Sequence, residues 1–183
     1  MEFVRNFKQT KIIKYLFAAI LGSIILAISS KIRIPFYPVP MTMQTLVVLI
    51  IGASFGWRLG VATVMLYLFE GIIGLPVFSG TPEKGIGFVY FTGPTMGYLL
   101  GFIFAAYFSG KFVYDNNIVK NFLKLFFATS LIYILGMTWL GSLIGWDKPI
   151  FQLGAQPFLL AELFKILIAT LAINQIKKIK NFL

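Results

Sequence analysis

The chain is a succession of apolar runs, and no other feature limits its fold as much. Six can be read from their length and from the charges and turn residues that bound them: about Lys14–Ser30, Thr42–Phe55, Leu59–Ile73, Gly87–Ser109, Phe122–Ile144 and Pro157–Gln175. Each is expected to be a helix. The second and third are short against the roughly 20 residues of a spanning helix. Gly56-Trp57-Arg58-Leu59-Gly60 between them reads as a tight turn, so the pair is expected to form a short or tilted hairpin. Composition agrees, with 58% of residues hydrophobic and only 12% charged, against roughly 25% charged in soluble domains. The expectation is an all-α integral membrane protein in which residues 1–183 form a single membrane domain of six transmembrane helices.

The formal net charge of +10 could suggest nucleic acid, but the basic residues sit in short clusters beside apolar runs, as they do when they set membrane topology. Eleven fall on one side (Arg5, Lys8, Lys11, Lys14, Arg58, Lys111, Lys120, Lys124, Lys177, Lys178, Lys180) and four on the other (Lys31, Arg33, Lys84, Lys148). By the positive-inside rule both termini are expected in the cytoplasm, the protein being a multi-pass component of the cell membrane. The basic stretch Arg5–Lys14, its apolar run and Ala27-Ile28-Ser29 loosely fit a signal peptide. The run is long for that, and further membrane segments follow, so the first segment is expected to be retained as a helix. The connections Lys31–Met41 and Gly74–Ile86 then lie outside. Three prolines and two aromatics in Ile34–Pro40 make the first stiff and extended, and Gly74–Gly80 combines turn signals with an apolar Val77-Phe78 pair. Such loops suit lids over a cavity between helices, with ordinary interfacial loops as the plainer alternative.

Cys and His are both absent, which leaves no thiol nucleophile, no Ser/His/Asp triad and no Cys/His metal site, so neither catalysis nor a cofactor is expected. The sequence has no P-loop pattern and no visible internal repeat; nucleotide-driven work would fall to another subunit, and a transporter of inverted halves is disfavoured. Against this background Glu162 and Lys165 stand out. They lie three residues apart in an otherwise apolar helix, on one face and well inside a hydrocarbon core about 30 Å thick. Ionisable groups at such depth usually face a bundle interior or wet cavity and mark a pathway or binding site, the alternative being an ion pair that only ties helices together. Gln44, Glu70 and the stretch Tyr90–Tyr98 are further candidates, each weak alone: a helix-capping amide, a solvated interfacial carboxylate and a plain helix start are their ordinary readings. On the first helix, Ala18 and Gly22, with Ala19 and Ser23 one residue on, make a strip of small residues that permits close helix contact, within the chain or with another.

Several motifs then follow in one order: Pro38-Val39-Pro40-Met41-Thr42-Met43-Gln44-Thr45-Leu46, Gly56-Trp57-Arg58-Leu59-Gly60, Gly74-Leu75-Pro76-Val77-Phe78, Thr92-Gly93-Pro94-Thr95-Met96-Gly97-Tyr98-Leu99-Leu100-Gly101-Phe102, and Pro157-Phe158 ahead of Glu162 and Lys165. In this the chain resembles the BioY family, the biotin-binding S subunits of energy-coupling-factor (ECF) transporters. Two positions depart from the family pattern: Met96 stands where Gly is frequent, and Glu162, a methylene longer, where Asp is frequent. The resemblance implies a six-helix S-component bundle with an outward-facing biotin site, outer loops that close over it, and assembly with a transmembrane coupling (T) subunit and two ABC ATPase subunits. It implies that the strip Ala18, Ala19, Gly22 and Ser23 is the surface that docks on the coupling subunit. Biotin offers a urea with two N–H donors and a carbonyl, an apolar thiophane ring, and a carboxylate on an aliphatic tail. Under this reading Glu162 accepts from and Lys165 donates to the urea edge. Gln44 adds a polar contact, Phe78 and Tyr98 pack on the ring, and Ser79, Tyr90 or backbone N–H groups near Gly80 and Gly93 meet the carboxylate. The opposite polarity, Lys165 on the carboxylate, is left open at this point. So are two rival functions: an S subunit for another vitamin, and an ion-coupled secondary transporter using Glu162 or Glu70 as a proton relay.

Overall fold

An apolar run in lipid must satisfy its backbone internally, and Ile12–Lys31 does so as the apolar part of one long helix, α1 (Glu2–Lys31). The structure, a computed structural model, describes residues 2–83 and 85–173, with side chains from Ile12 onward. Lys84, residues 174 and 175 of the expected sixth segment, and Lys177, Lys178 and Lys180 lie outside the described residues, as do the side chains of Arg5, Lys8 and Lys11. After α1 come short strands β1 (Arg33–Ile34) and β2 (Met41–Thr42), then α2 (Gln44–Ile72), α3 (Gly87–Phe91), α4 (Met96–Lys111), α5 (Ile118–Ile144), α6 (Ile150–Gly154), a 3-10 turn (Gln156–Phe158) and α7 (Leu159–Leu171). Four stretches, Ile12–Lys31, Gln44–Ile72, Ile118–Ile144 and Ile150–Leu171, are long and apolar enough to cross a membrane. Ile13, Leu16, Phe17, Ile20, Ile24 and Ile28 stand exposed on α1, an apolar face suited to lipid. The chain is a multi-pass membrane protein.

α2 is in fact two antiparallel arms, 44–55 and 57–72. Its helical path breaks at Gly56 (φ 75°, ψ 165°), a conformation that glycine adopts without steric penalty. In a straight helix Gln44 and Tyr67 would be roughly 35 Å apart; here the Gln44 amide donates to the Tyr67 hydroxyl at 2.7 Å. The expected hairpin is therefore present, and α1, the two arms, α4, α5 and α7 make the six-helix bundle. α4 is its centre, packed on α2 at one side and α5 at the other. The α4–α5 approach depends on small residues, since a Cβ on Gly101 would lie 2.6 Å from Ile132 Cα.

Three expectations need correction. The fourth segment is not continuous over 87–109: Thr92–Thr95 separates α3 from α4, because Pro94 has no N–H to give a helical ladder. The carbonyl of Gly93 accepts from the Met96 N–H at 3.1 Å and from the Trp139 indole N–H at 2.9 Å. The sixth begins as a 3-10 turn containing Pro157, and its α-helix starts at Leu159. The connection after α1 is not simply extended, since Arg33 pairs with Thr42 and Ile34 with Met41 in an antiparallel ladder, which returns the chain from the end of α1 to the start of α2.

The small-residue strip also departs from the role implied for it. Ala18, Ala19, Gly22 and Ser23 are all buried within the chain. A Cβ on Gly22 would lie 2.6 Å from Thr63 Cγ2 in the second arm of α2, and the Ser23 hydroxyl reaches Glu70 Oε1 at 3.0 Å. These residues let α1 sit close on α2. They are occupied by that contact and present no docking strip on the surface.

Candidate functional site

Polar residues collect where the first arm of α2, α4, α5 and α7 converge under the two connections. The first turn of α2 supplies Gln44 and Thr45, and Tyr98 and Phe102, a helical turn apart, share a face of α4. They line one cavity with Tyr133 of α5, Phe158 and Glu162 at the start of α7, and Tyr90 of α3. Both connections reach it as well, the first through Val39 and Pro40 and the second through Ser79. The cavity is narrow, with a volume of about 50 Å³, so a ligand larger than a few waters enters only as its walls part.

The charged pair forms the polar end. Lys165 Nζ lies 2.6 Å from Glu162 Oε1, and both side chains are 6% exposed. The ammonium also donates to Thr42 O at 2.6 Å and Thr45 Oγ1 at 3.1 Å, which occupies its three protons. The Thr45 hydroxyl in turn donates to Glu162 Oε1 at 3.1 Å. Both of these bonds fall on one carboxylate oxygen. Glu162 Oε2 is buried without a partner, on a side chain that lines the cavity, with Tyr133 close by in the same wall. Lys165 stands behind it, lining a separate groove with Ile34, Met41 and Phe164. Desolvating an ion pair is costly unless its other valences are met; the two threonines meet those of Lys165 and leave one of Glu162 open to an incoming donor.

A second open group lies in the wall. Ser79 Oγ is buried and unpartnered, while the Ser79 carbonyl accepts a hydrogen bond from the Tyr90 hydroxyl. Gln44 is already engaged, its oxygen near the Thr42 hydroxyl at 3.2 Å and its amide on Tyr67, whose hydroxyl donates onward to Val77 O at 3.2 Å. Tyr98 is anchored by donation to Gly154 O at 2.8 Å, so its ring has a fixed place in the cavity wall.

Of the seven residues expected around a ligand, five line the cavity: Gln44, Ser79, Tyr90, Tyr98 and Glu162. Phe78 does not. It is 1% exposed and packs into the core beside Tyr67, Tyr90 and Phe91, with its ring against Gly71. An apolar aromatic next to Ser79 alternates to the other side of the loop, into the interior. Lys165 is adjacent but screened by Glu162. Glu70 lies away from the cavity at the α1–α2 contact, bonded to Ser23. Sequence reasoning missed Thr45, Tyr133 and Phe158. Thr45 follows Gln44 directly in an apolar helix, a signal that was available; Tyr133 sits in a run with nothing to set it apart.

Comparison with known proteins adds relatives along nearly the whole length. A sequence model described as BioY family matches residues 5–182. A probable biotin transporter BioY of Rickettsia prowazekii (strain Madrid E) is 32% identical over 88% of this chain and 82% of its own. A biotin transporter BioY of Thermotoga maritima is 31% identical over 85% and 91% respectively, and one of Rhodobacter capsulatus 33% identical over 85% and 88%. The fold resembles that of a crystal structure at 2.1 Å of the S-component for biotin from an ECF-type ABC transporter, with a TM-score of 0.77, 22% identity, and coverage of 92% of this chain and 93% of that one.

Proposed function

The chain belongs to the BioY family, and on that premise we propose that it binds biotin as the substrate-specific S subunit of an ATP-driven ECF importer. The observation that carries the reading is the pair of unpartnered buried oxygens in one apolar cavity, Glu162 Oε2 and Ser79 Oγ. A ligand with a neutral N–H donor at one end and a carboxylate at the other satisfies both. Glu162 Oε2 accepts a urea N–H in a charge-assisted bond, and the Ser79 hydroxyl donates to the carboxylate. Between them the thiophane ring and tail pack on Tyr98, Tyr133, Phe102 and Phe158. Lys165 holds Glu162 in place as a carboxylate and meets the urea carbonyl only by releasing a partner, the longest of its bonds being the one to Thr45.

The site opens to the outside and both termini are cytoplasmic in this reading. Arg58, Lys111 and Lys124 support it, because they gather away from the cavity: Gly110 packs on Trp57 beside Arg58, Lys111 reaches Tyr107, and Lys124 caps Val113 O. Energy for transport comes from a coupling subunit and two ATPase subunits, as the sequence carries no P-loop of its own. The test is binding of labelled biotin to the purified chain in lipid nanodiscs. Saturable, near-stoichiometric retention displaced by unlabelled biotin and not by riboflavin or thiamine is expected. No saturable retention, or better displacement by another vitamin, overturns the assignment.

A further inference from the structure

The last two residues of α1 hold the second connection at consecutive points. The Ser30 hydroxyl lies 2.7 Å from Val77 O. Lys31 Nζ donates to Pro76 O at 2.7 Å, Phe78 O at 3.0 Å, and Thr81 O and Oγ1 at 3.2 and 3.0 Å. An ammonium has three protons, so four oxygens are enough to occupy them all. Carbonyls from residues 76, 78 and 81 that converge on one cation require the intervening chain to bend around it, and Ser79 lies within that bend. The stem of Lys31 is exposed, but the bonds to Phe78 and Thr81 are partly buried. A cation in the final turn of a helix is favoured by the helix dipole as well.

We propose that Lys31 is a positioning residue for ligand capture: its ammonium organises residues 76–81 so that the Ser79 hydroxyl faces the cavity and the loop stays closed over a bound ligand. The assignment rests on the ligand-binding reading of the cavity given above. The opposite side of the same segment is held by Tyr90 on Ser79 O and Tyr67 on Val77 O, so the loop is fixed between α1 and the core. The other tie nearby is the Arg33–Glu83 bridge of 3.0 Å, whose side chains are 28% and 73% exposed. That bridge is a single contact to a carboxylate largely in solvent and contributes little, whereas Lys31, though exposed itself, meets four oxygens of three residues. Lys31, and not the visible salt bridge, therefore orders the loop.

The experiment uses the full chain in nanodiscs with Lys31→Met, which keeps the stem and removes the ammonium. Amide exchange in residues 74–83 is measured without ligand, and labelled biotin is chased off the loaded protein. Loss of the charged hydrogen bonds predicts loop exchange and biotin dissociation each faster by about tenfold, with the association rate unchanged and exchange in α5 unaltered. Lys31→Arg, which keeps a cation with several donors, falls between the two. A Met variant with wild-type loop exchange overturns the proposal, and so does faster loop exchange with an unchanged dissociation rate. If the unmodified chain retains no biotin, the ligand assignment fails, and the exchange measurement alone decides whether Lys31 orders the loop.

Discussion

Replacing Glu162 by glutamine exchanges one atom at the cavity wall and reverses what that wall offers. Oε1 already serves Lys165 at 2.6 Å and Thr45 at 3.1 Å, so the oxygen of the new amide would stay there. The NH2 group then takes the place of Oε2, the free acceptor, and a ligand N–H meets a donor. The bond lost is of the charged kind, worth about 1.5–3 kcal/mol. At about 1.4 kcal/mol per decade, the dissociation constant for biotin rises roughly ten- to a hundred-fold. Titration calorimetry in detergent reads this, beside a melting curve to confirm that the variant is folded. An N-methylated urea analogue adds a second arm: it is penalised against biotin in the wild type and loses most of that penalty in Glu162→Gln. A folded variant whose affinity for biotin stays within about threefold of wild type refutes the assignment of Oε2 to a ligand donor.

Ser79→Ala removes the other open group and is expected to weaken biotin binding by several-fold, the worth of one hydrogen bond; biotin amide, measured in parallel, should lose less. Phe78→Ala leaves a void in the core next to Gly71 and should lower stability by about 3–5 kcal/mol, whereas Phe78→Leu should bind biotin nearly as wild type does, which a ring contact with ligand would forbid. Gly22→Leu is expected to lower the melting temperature of the isolated chain, since its Cβ already meets Thr63 at 2.6 Å; an unchanged melt with loss only of assembly with partner subunits would return the strip to a docking role. Gly101→Val drives a side chain into Ile132 and should cost at least about 1–3 kcal/mol, read as loss of folded protein during purification or a lowered melt.

The sequence carried the spans clearly because a bilayer reduces the question to length and polarity, and the hairpin followed from Gly56 and Gly60 between two runs too short to span alone. The break at Gly93-Pro94 was written in the chain too, but the apolar run continues through it, so hydropathy alone joined α3 to α4. The Glu162–Lys165 pair was legible for the same reason that it is costly, being charge in an apolar helix. What the pair touches was not legible. Thr45 lies 117 residues from Glu162, and nothing local to either announces the other. Phe78 and the small-residue strip show a further limit. An aromatic in an apolar loop looks alike whether it turns to a cavity or to the core, and a row of small residues says that something packs closely without saying what.

The bond from Lys165 to Thr42 spans 123 residues, and this sets a time as well as a place. Helices enter the membrane in the order of their synthesis, N-terminal first, so α1, α2 and α4 are available long before α7. Until α7 arrives, one wall of the cavity is absent, and the Thr42 carbonyl and Thr45 hydroxyl lack the partners that Lys165 and Glu162 supply. Under the proposed reading, a nascent chain halted after α5 is expected to retain no biotin, with capture beginning only when the final helix docks.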